Sequence, residues 1–194
     1  AKEYIDRLQE KGVGTALKHY CCNNSDGNRQ SCSSEIDKRA LMEIYTRNFY
    51  YACKAKPTTV MCAYNKVNGL WCSESKELND ILYNKLGFDG AIVSDWEAVH
   101  HKVPSVKSGL ALQMPYRKGM FEEVKAAYEK GEVTEEEIDI CAGKTVDLIN
   151  KLIIGTSINL VSEVLEYQVK PIIGNYVKQH EVLYNAFYNA FTDF

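Results

Sequence analysis

GFDGAIVSDW, at residues 87–96, is the stretch that decides the fold class. It contains a short, wholly apolar strand, Ala91–Ser94, which begins just after a helix end at Gly87 and stops at Asp95. A strand that is apolar throughout is buried on both faces, as in a parallel sheet covered by helices. Because residues 75–86 carry a helical pattern, the stretch predicts a helix followed by a buried parallel strand.

The same alternation continues on both sides of this stretch. Strands are predicted at Val13–Tyr20, Thr58–Tyr64, Ala91–Ser94 and Leu110–Met114, with a turn at Asn68-Gly69. Helices are predicted at 1–10, from an N-cap at Ser34 to before Pro57, at 75–86, at 103–108, and from a capping box at Thr134 and Glu137 to about Leu152. The helix after Ser34, with Asp37 at its third position, is expected to turn inward Ile36, Ala40, Leu41, Ile44 and Phe49.

This pattern predicts an α/β fold with a parallel sheet. Four strand–helix units in about 150 residues are half of the eight units in a TIM barrel. The sequence therefore predicts a partial TIM-type barrel, a half-barrel of about four units. A doubly wound open sheet fits the same periodicity, although Gly12 and Gly14 precede the first strand, whereas a phosphate loop would follow it.

The chain divides near residue 153. Residues 1–153 are predicted to form the α/β unit, and residues 154–194 an amphipathic helical tail. The tail is predicted to form two helices, Ser157–Val169 and Ile172–Phe191, separated at Pro171. Aromatic residues at helical spacing, from Tyr184 to Phe191, predict a face that packs on the protein's own core or on a partner.

Composition excludes several classes of protein. The 194 residues are 45% hydrophobic and 25% charged with a net charge of −3, which is typical of an ordered globular chain and not of a nucleic-acid binder. No apolar run is long enough to cross a membrane. The seven cysteines match no paired zinc spacing and lie mostly in apolar runs. We therefore favour buried thiols of a reduced, cytoplasmic compartment over secreted disulfides, and expect no metal or cofactor.

Candidate functional residues follow the strand ends. Lys18-His19, Tyr64-Asn65, Asp95-Trp96 and Met114-Pro115 are expected to converge on one rim of the sheet, because the carboxyl ends of parallel strands meet at one edge. Aromatic faces beside charged and polar groups suit a sugar. Structural alternatives remain open: Asp95 as the cap of a following helix, Lys18 as an ion-pair partner, and Trp96 as core. The adjacent His100 and His101 point about 100° apart on a helix and are poor metal ligands.

Several motifs together resemble glycoside hydrolase family 3, the β-glucosidase family. They are Leu17-Lys18-His19-Tyr20 with Asn23-Asn24-Ser25 and Asn28-Arg29, the run Val60 to Gly69, the run Gly87 to Trp96, and Ser108-Gly109-Leu110 with Met114-Pro115. The stretch Glu122 to Leu152 looks like the helix that closes the family's catalytic domain. The resemblance spans about 140 residues and implies the C-terminal half of that family's (β/α)8 barrel.

The resemblance also implies roles for individual residues. Asp95 would be the catalytic nucleophile of a retaining β-glucosidase, which hydrolyses terminal β-D-glucosyl residues through a covalent glycosyl-aspartate intermediate. Lys18, His19 and Arg29 would bind hydroxyl groups of the sugar. Met61 and Tyr64 would line the pocket, and Trp96 would form its wall. The loop at 21–27 lacks the histidine of the family's N-acetylglucosaminidase branch, which favours a glucosidase and leaves xylosidase or arabinosidase activity open.

Two departures from the family pattern favour an alternative, non-catalytic function. Ala111 and Gln113 occupy positions where the family usually has Asp and often has Glu. The first half of the barrel and the domain that carries the acid/base are also missing, so the isolated chain is expected to be inactive. Its expected partners are a β-glucoside or oligosaccharide, the missing parts in the same parent chain or another, and a second copy of the chain in a homo-oligomer. The competing hypothesis is a non-catalytic half-barrel that binds sugar or protein.

Overall fold

The computed structural model describes residues 1–153. The predicted tail at 154–194, with its two amphipathic helices and its aromatic stripe, lies outside the described residues. Within residues 1–153, no helix is both long and apolar enough to span a membrane.

A three-stranded parallel sheet forms the centre of the described chain. Strands β1 (Ala16–Tyr20), β3 (Thr59–Cys62) and β6 (Ala91–Val93) lie in the order β1-β3-β6. All three residues of β6 are buried, as the apolar stretch predicts. Each strand is shorter than predicted: β1 begins later, at Ala16, whereas β3 and β6 end earlier, at Cys62 and Val93. The α/β class and the parallel sheet are therefore confirmed.

The predicted fourth strand at Leu110–Met114 is reduced to a single bridge. Leu112 pairs in parallel with Val93, next to β6. Beyond that bridge the hydroxyl of Ser94 adds to the backbone contacts: it accepts from Met114 N at 2.8 Å and donates to Met114 O at 3.1 Å. The segment therefore follows the expected strand order without forming a regular ladder.

Helices cover this sheet. They are α1 (Lys2–Gln9), α2 (Lys38–Ala40), α3 (Arg47–Cys53), α4 (Lys76–Asn84), α5 (Lys102–Ser108), α6 (Met120–Glu129) and α7 (Glu135–Ile153). Helix α4 begins at the N-cap Ser75, whose hydroxyl accepts from Leu78 N. Its buried residues pack on the sheet, and Leu78 O accepts a 2.8 Å hydrogen bond from the hydroxyl of Tyr20. This contact ties α4 to β1 across the core.

The helical segment after the first loop begins three residues later than predicted. Ser34 belongs to a short strand, β2 (Ser33–Ser34), and Asp37 is the N-cap, accepting from Ala40 N at 2.9 Å. A π-helical turn at Leu41–Tyr45 then joins α2 to α3. The turn inserts an extra residue, so that Thr46 is buried while Ile44 is 66% exposed. The predictions of a cap at Ser34 and of an inward Ile44 were wrong for these two reasons.

A small second sheet explains the extended Ser34. Strand β2 pairs with β4 (Lys66–Val67), which forms a hairpin with β5 (Leu70–Trp71) through the predicted turn at Asn68-Gly69. Both turn residues have positive φ, 49° and 86°. The Asn68 amide bonds Ile36 twice, accepting from its N–H at 2.8 Å and donating to its carbonyl at 3.0 Å. Gly69 N donates to Ser33 Oγ at 2.9 Å.

The end of the sheet opposite the rim, which we call the floor, is closed by the side chain of Gln9. Its Oε1 accepts from Thr15 Oγ1 at 2.7 Å and from both the N–H and the hydroxyl of Thr58 at 3.0 Å. Its Nε2 donates to the carbonyls of Ala55 and Lys56 at 3.2 and 3.1 Å. One amide therefore joins α1 to the start of both β1 and β3.

The C-terminal part consists of two helices where one was predicted. The stretch Glu122–Leu152 is interrupted at Gly131, which has a φ of 73°, between α6 and α7. The predicted capping box is confirmed: Glu137 N donates to Thr134 Oγ1 at 3.2 Å, and Thr134 N donates to the Glu137 carboxylate at 2.9 Å. Helix α7 returns to the sheet, where Thr145 donates to Ala111 O at 3.1 Å.

Six of the seven cysteines are buried, and Cys32 is partly buried. Cys62 and Cys72 lie in the main core with Val60, Leu82 and Ile92. Burial raises the pKa of the Cys62 thiol to about 12, which keeps it protonated at neutral pH. The expectation that these residues act as small buried side chains is confirmed.

Candidate functional site

A polar cavity of about 380 Å³ opens at the carboxyl ends of β1, β3 and β6. Its lining residues come from the end of β1 and the loop after it, and from the segments that follow β3 and β6. They are His19, Asn23, Asp26, Arg29, Tyr64 and Asp95. The parallel order of the strands brings these distant residues to one rim, as the sequence predicts.

Asp95 lies at the centre of the charged groups. It follows the buried Ser94, and its side chain is only 14% exposed. Its Oδ1 accepts a 2.6 Å hydrogen bond from Trp96 N, and its Oδ2 lies 3.3 Å from His19 Nε2. The next helix, α5, begins at Lys102 with His101 as its N-cap. Asp95 therefore caps no helix, and that structural alternative is wrong.

Tyr64 and His19 contact the Asp95 carboxylate in forms suited to hydrogen bonding. Burial raises the pKa of Tyr64, as do the hydrogen bond to Asp95 and the charge of that carboxylate, so that the phenol keeps its proton. Burial lowers the pKa of His19, an effect that the negative charge of Asp95 opposes. The imidazole is therefore mainly neutral at pH 7, and Asp95 is ringed by polar groups that can orient it.

Arg29 lies on the other side of Tyr64. Its Nη1 bonds Asp26 Oδ1, and its guanidinium lies 4.9 Å from the centre of the Tyr64 ring. This position over an aromatic face is a cation–π contact. Asp26 and Tyr64 together hold the guanidinium in the lining of the cavity that Asp95 faces.

Four of the seven predicted site residues line this cavity: His19, Arg29, Tyr64 and Asp95. The other three do not. Lys18 is exposed and forms no salt bridge within residues 1–153, so the ion-pair alternative has no support there. Met61 is partly buried on β3 opposite Val93. Trp96 is 59% exposed, which excludes the core alternative and leaves its ring open to solvent beside the rim.

Two lining residues were not predicted as site residues, Asn23 and Asp26. Both belong to the polar loop after the first strand. Their signal was positional: a loop that follows the carboxyl end of a parallel strand lies over the rim. Residue type alone did not distinguish them from Asn24 or Asn28.

The adjacent histidines contact different groups. The His100 ring stacks on Trp71 with ring centres 3.7 Å apart, while His101 Nδ1 lies 3.1 Å from a Glu74 carboxylate oxygen. No cluster of three or more metal-ligating side chains is found in the part of the chain that the structure describes.

Comparison with known proteins gives one consistent result. Residues 1–148 match the family model described as "Glycosyl hydrolase family 3 N terminal domain". The chain is 38% identical over 149 residues to an exo-α-(1→6)-L-arabinopyranosidase of Bifidobacterium longum, which covers 76% of this chain and 20% of the relative. It is 41% identical over 138 residues to thermostable β-glucosidase B of Acetivibrio thermocellus, covering 70% of this chain and 18% of that protein.

A solved structure agrees with the sequence matches. β-Glucosidase 3B from Thermotoga neapolitana in complex with glucose aligns with a TM-score of 0.74 and 35% identity, over 78% of this chain and 22% of that protein. The chain spans about a fifth of the length of these relatives.

Proposed function

The chain belongs to glycosyl hydrolase family 3, and we propose that it carries the nucleophile of a retaining β-glucosidase-type enzyme. One observation carries the proposal: Asp95, at the end of a buried parallel strand, faces a polar cavity between His19 and Tyr64. In this proposal residues 1–148, the part that the family model matches, form part of a (β/α)8 barrel.

The geometry supports a nucleophilic role for Asp95. An ionised carboxylate attacks the anomeric carbon, a C–O bond to Asp95 forms, and the leaving group departs with its electron pair. The Tyr64 hydroxyl and His19 contact this carboxylate and hold its direction. The exposed Trp96 ring and Lys18 lie beside the rim, where a bound sugar reaches them; Met61, partly buried, belongs to the same proposed wall.

The second carboxyl group of the mechanism has to come from elsewhere. A retaining glycosidase needs a protonated carboxyl about 5–5.5 Å from its nucleophile. The other carboxyl that lines the cavity, Asp26, bonds Arg29 and is therefore already engaged with a cation. We place the acid/base in a further part of the enzyme, consistent with relatives in which the matched stretch is only 18% to 20% of the length.

The sheet offers a place for that further part to attach. Strand β1 lies at one end of the strand order, so its outer edge has no neighbour within the described residues. An open edge pairs readily with another strand. In this proposal the rest of the barrel, or a second copy of the chain, pairs there.

The proposed substrate is a terminal β-D-glucosyl residue. An L-arabinopyranosyl residue is the alternative sugar, because a relative of similar identity carries that name. A non-catalytic sugar-binding module is the second candidate function, favoured by the absence of an unpaired second carboxyl among the residues that line the cavity.

The test uses a substrate that needs no acid. 2-Deoxy-2-fluoro-β-D-glucosyl fluoride loses fluoride without protonation, so Asp95 alone can form the glycosyl ester, which the 2-fluorine makes long-lived. We expect the 194-residue chain to gain one fluoroglucosyl group, mapped to Asp95 by peptide mass spectrometry, and the Asp95→Asn variant to gain none. A label on another residue contradicts the proposal. Saturable binding of glucose without labelling favours the non-catalytic module.

A further inference from the structure

One polar side chain of the cavity lacks a partner. Asn23 Oδ1 is shielded from solvent, and it accepts no hydrogen bond from any residue that the structure describes. Within residues 1–153 its Nδ2 has no partner either. Leaving a buried polar atom unpaired is costly, and such atoms are uncommon in folded proteins. The position of this atom in the cavity lining therefore calls for an explanation.

Two other buried amide oxygens are unpaired, but their side chains are anchored. Asn65 Nδ2 donates to Lys66 O at 3.0 Å, and Asn79 Nδ2 donates to Ser108 O at 2.9 Å. Neither residue lines the cavity. These two asparagines therefore have a structural role that Asn23 lacks.

The remaining groups around the cavity already have partners. His19 and Tyr64 contact Asp95, and Arg29 bonds Asp26. Asn23 is thus the one lining side chain, among those described, whose hydrogen-bonding groups have no partner in the protein.

The backbone that leads to Asn23 is fixed in place. Ser34 Oγ donates to Cys22 O at 3.0 Å, and Asn65 Nδ2 reaches the carbonyls of Cys21 and Cys22 at 3.3 and 3.4 Å. An amide presented by a fixed backbone loses little conformational entropy when it binds. The structural role of Asn65 is therefore to hold the segment that presents Asn23.

We propose that Asn23 is a further sugar-binding residue, whose side-chain amide forms a hydrogen bond with one hydroxyl of the pyranose that Asp95 attacks. An amide is both acceptor and donor, and so is a hydroxyl. Because Asn23 is neutral, it binds a hydroxyl without adding charge beside Asp95. A sugar that lacks this hydroxyl leaves the amide unpaired, so Asn23 also selects against deoxy sugars. The inference rests on the proposed function in placing a sugar in this cavity.

The test measures binding of D-glucose and its 2-, 3-, 4- and 6-deoxy analogues to the 194-residue chain by NMR titration. We expect Asn23→Ala to weaken glucose binding about 3- to 10-fold, the value of one neutral hydrogen bond. For one deoxy analogue, the parent chain and Asn23→Ala should bind equally well, since the partner hydroxyl is already missing. The matched control is Asn24→Ala, an exposed neighbour outside the cavity lining, which should bind glucose as the parent does.

A structural role would give a different result. Asn23→Ala would then lower the melting temperature and weaken every analogue by the same factor. The inference is overturned by this uniform loss of affinity and stability. It is also overturned if Asn23→Ala binds glucose as the parent chain does, or if the parent chain does not bind glucose. Labelling of Asp95 by the fluoroglucosyl fluoride is scored separately, so a correct nucleophile with an uninvolved Asn23 is recognised as failure of this inference alone.

Discussion

Two side-chain amides, one at each end of the sheet, are used in opposite ways. At the floor, Gln9 makes five hydrogen bonds that join α1 to the starts of β1 and β3. At the rim, Asn23 Oδ1 is buried with no partner in the described chain. The same functional group therefore stabilises the fold at one end and, in our proposal, binds a ligand at the other.

The difference extends beyond the two amides. The floor is tightly packed: a Cβ built on Gly90 would overlap the carbonyl oxygen of Thr58. The rim has an open cavity and an indole that is more than half exposed, at Trp96. In our proposal, the floor stabilises the fold through satisfied polar groups, and the rim binds a ligand through unsatisfied ones. Changes at the rim should therefore affect chemistry and changes at the floor should affect folding.

The largest effect is expected at the rim. Asp95→Ala should slow covalent labelling by the fluoroglucosyl fluoride by several orders of magnitude, because the proposed nucleophile is removed. Its melting temperature should stay close to that of the parent chain, since Asp95 bonds only its neighbouring N–H and the polar groups of the cavity. Mass spectrometry and a thermal melt check both parts. A large loss of stability would show that the rim also supports the fold.

Gln9→Ala tests the floor. We expect a loss of about 2–4 kcal/mol in the free energy of unfolding, because Thr58 N–H and two carbonyls lose their partner. Denaturant titration measures this loss, and Gln30→Ala, at an exposed loop position, is the control. Glucose affinity should be unchanged. If Gln9→Ala instead weakened glucose binding at unchanged stability, the division between floor and rim would be wrong.

Gly90→Ala tests how tightly the floor is packed. The new methyl group would meet the Thr58 backbone, which cannot rotate away, so we expect a loss of about 1–3 kcal/mol. Gly143→Ala is the matched control: it lies in α7 with no atom within 4 Å of its Cβ, and it should gain up to about 1 kcal/mol from helix propensity. Equal stabilities for the two variants, measured by chemical denaturation, would contradict the packing argument.

The smallest effect is pH dependence. Burial lowers the pKa of both His19 and His100 below the ordinary 6.5. Folding therefore disfavours their charged forms, so these residues make the protein less stable as pH falls below about 6.5, down to their folded pKa values. Melting temperatures across this range should fall more steeply for the parent chain than for a His19→Gln, His100→Gln double variant. Parallel curves would show that neither histidine is responsible.

The sequence predicts the floor and the strands better than the rim. Wholly apolar stretches such as Ala91–Val93 can only be buried, and the capping box at Thr134 and Glu137 acts locally, so both are confirmed. The cap at Ser34 was wrong because its extended conformation depends on pairing with Val67, which is distant in sequence. The π-helical turn depends on packing in the same way, and it moved Ile44 outward.

The residues of the candidate site also divide into those whose position the sequence predicts and those whose position depends on distant contacts. His19, Tyr64 and Asp95 were found because each lies at a strand end or directly after one, where position follows from topology. Asn23 and Asp26 lie in a loop, whose path depends on contacts such as that of Ser34 with Cys22. Their roles depend on which partner each side chain has, and a sequence alone does not contain that information.

The two hydrogen bonds between the Asn68 side chain and the Ile36 backbone affect how readily Asn68 deamidates. An Asn-Gly pair deamidates when the glycine nitrogen attacks the asparagine amide to form a succinimide. Here both reacting groups are occupied, because Gly69 N donates to Ser33 and the Asn68 amide bonds the Ile36 backbone on both sides. The folded chain thereby protects a bond that is labile once the chain unfolds. The fraction of isoaspartate at position 68 in a stored sample accordingly records how long its molecules have spent unfolded.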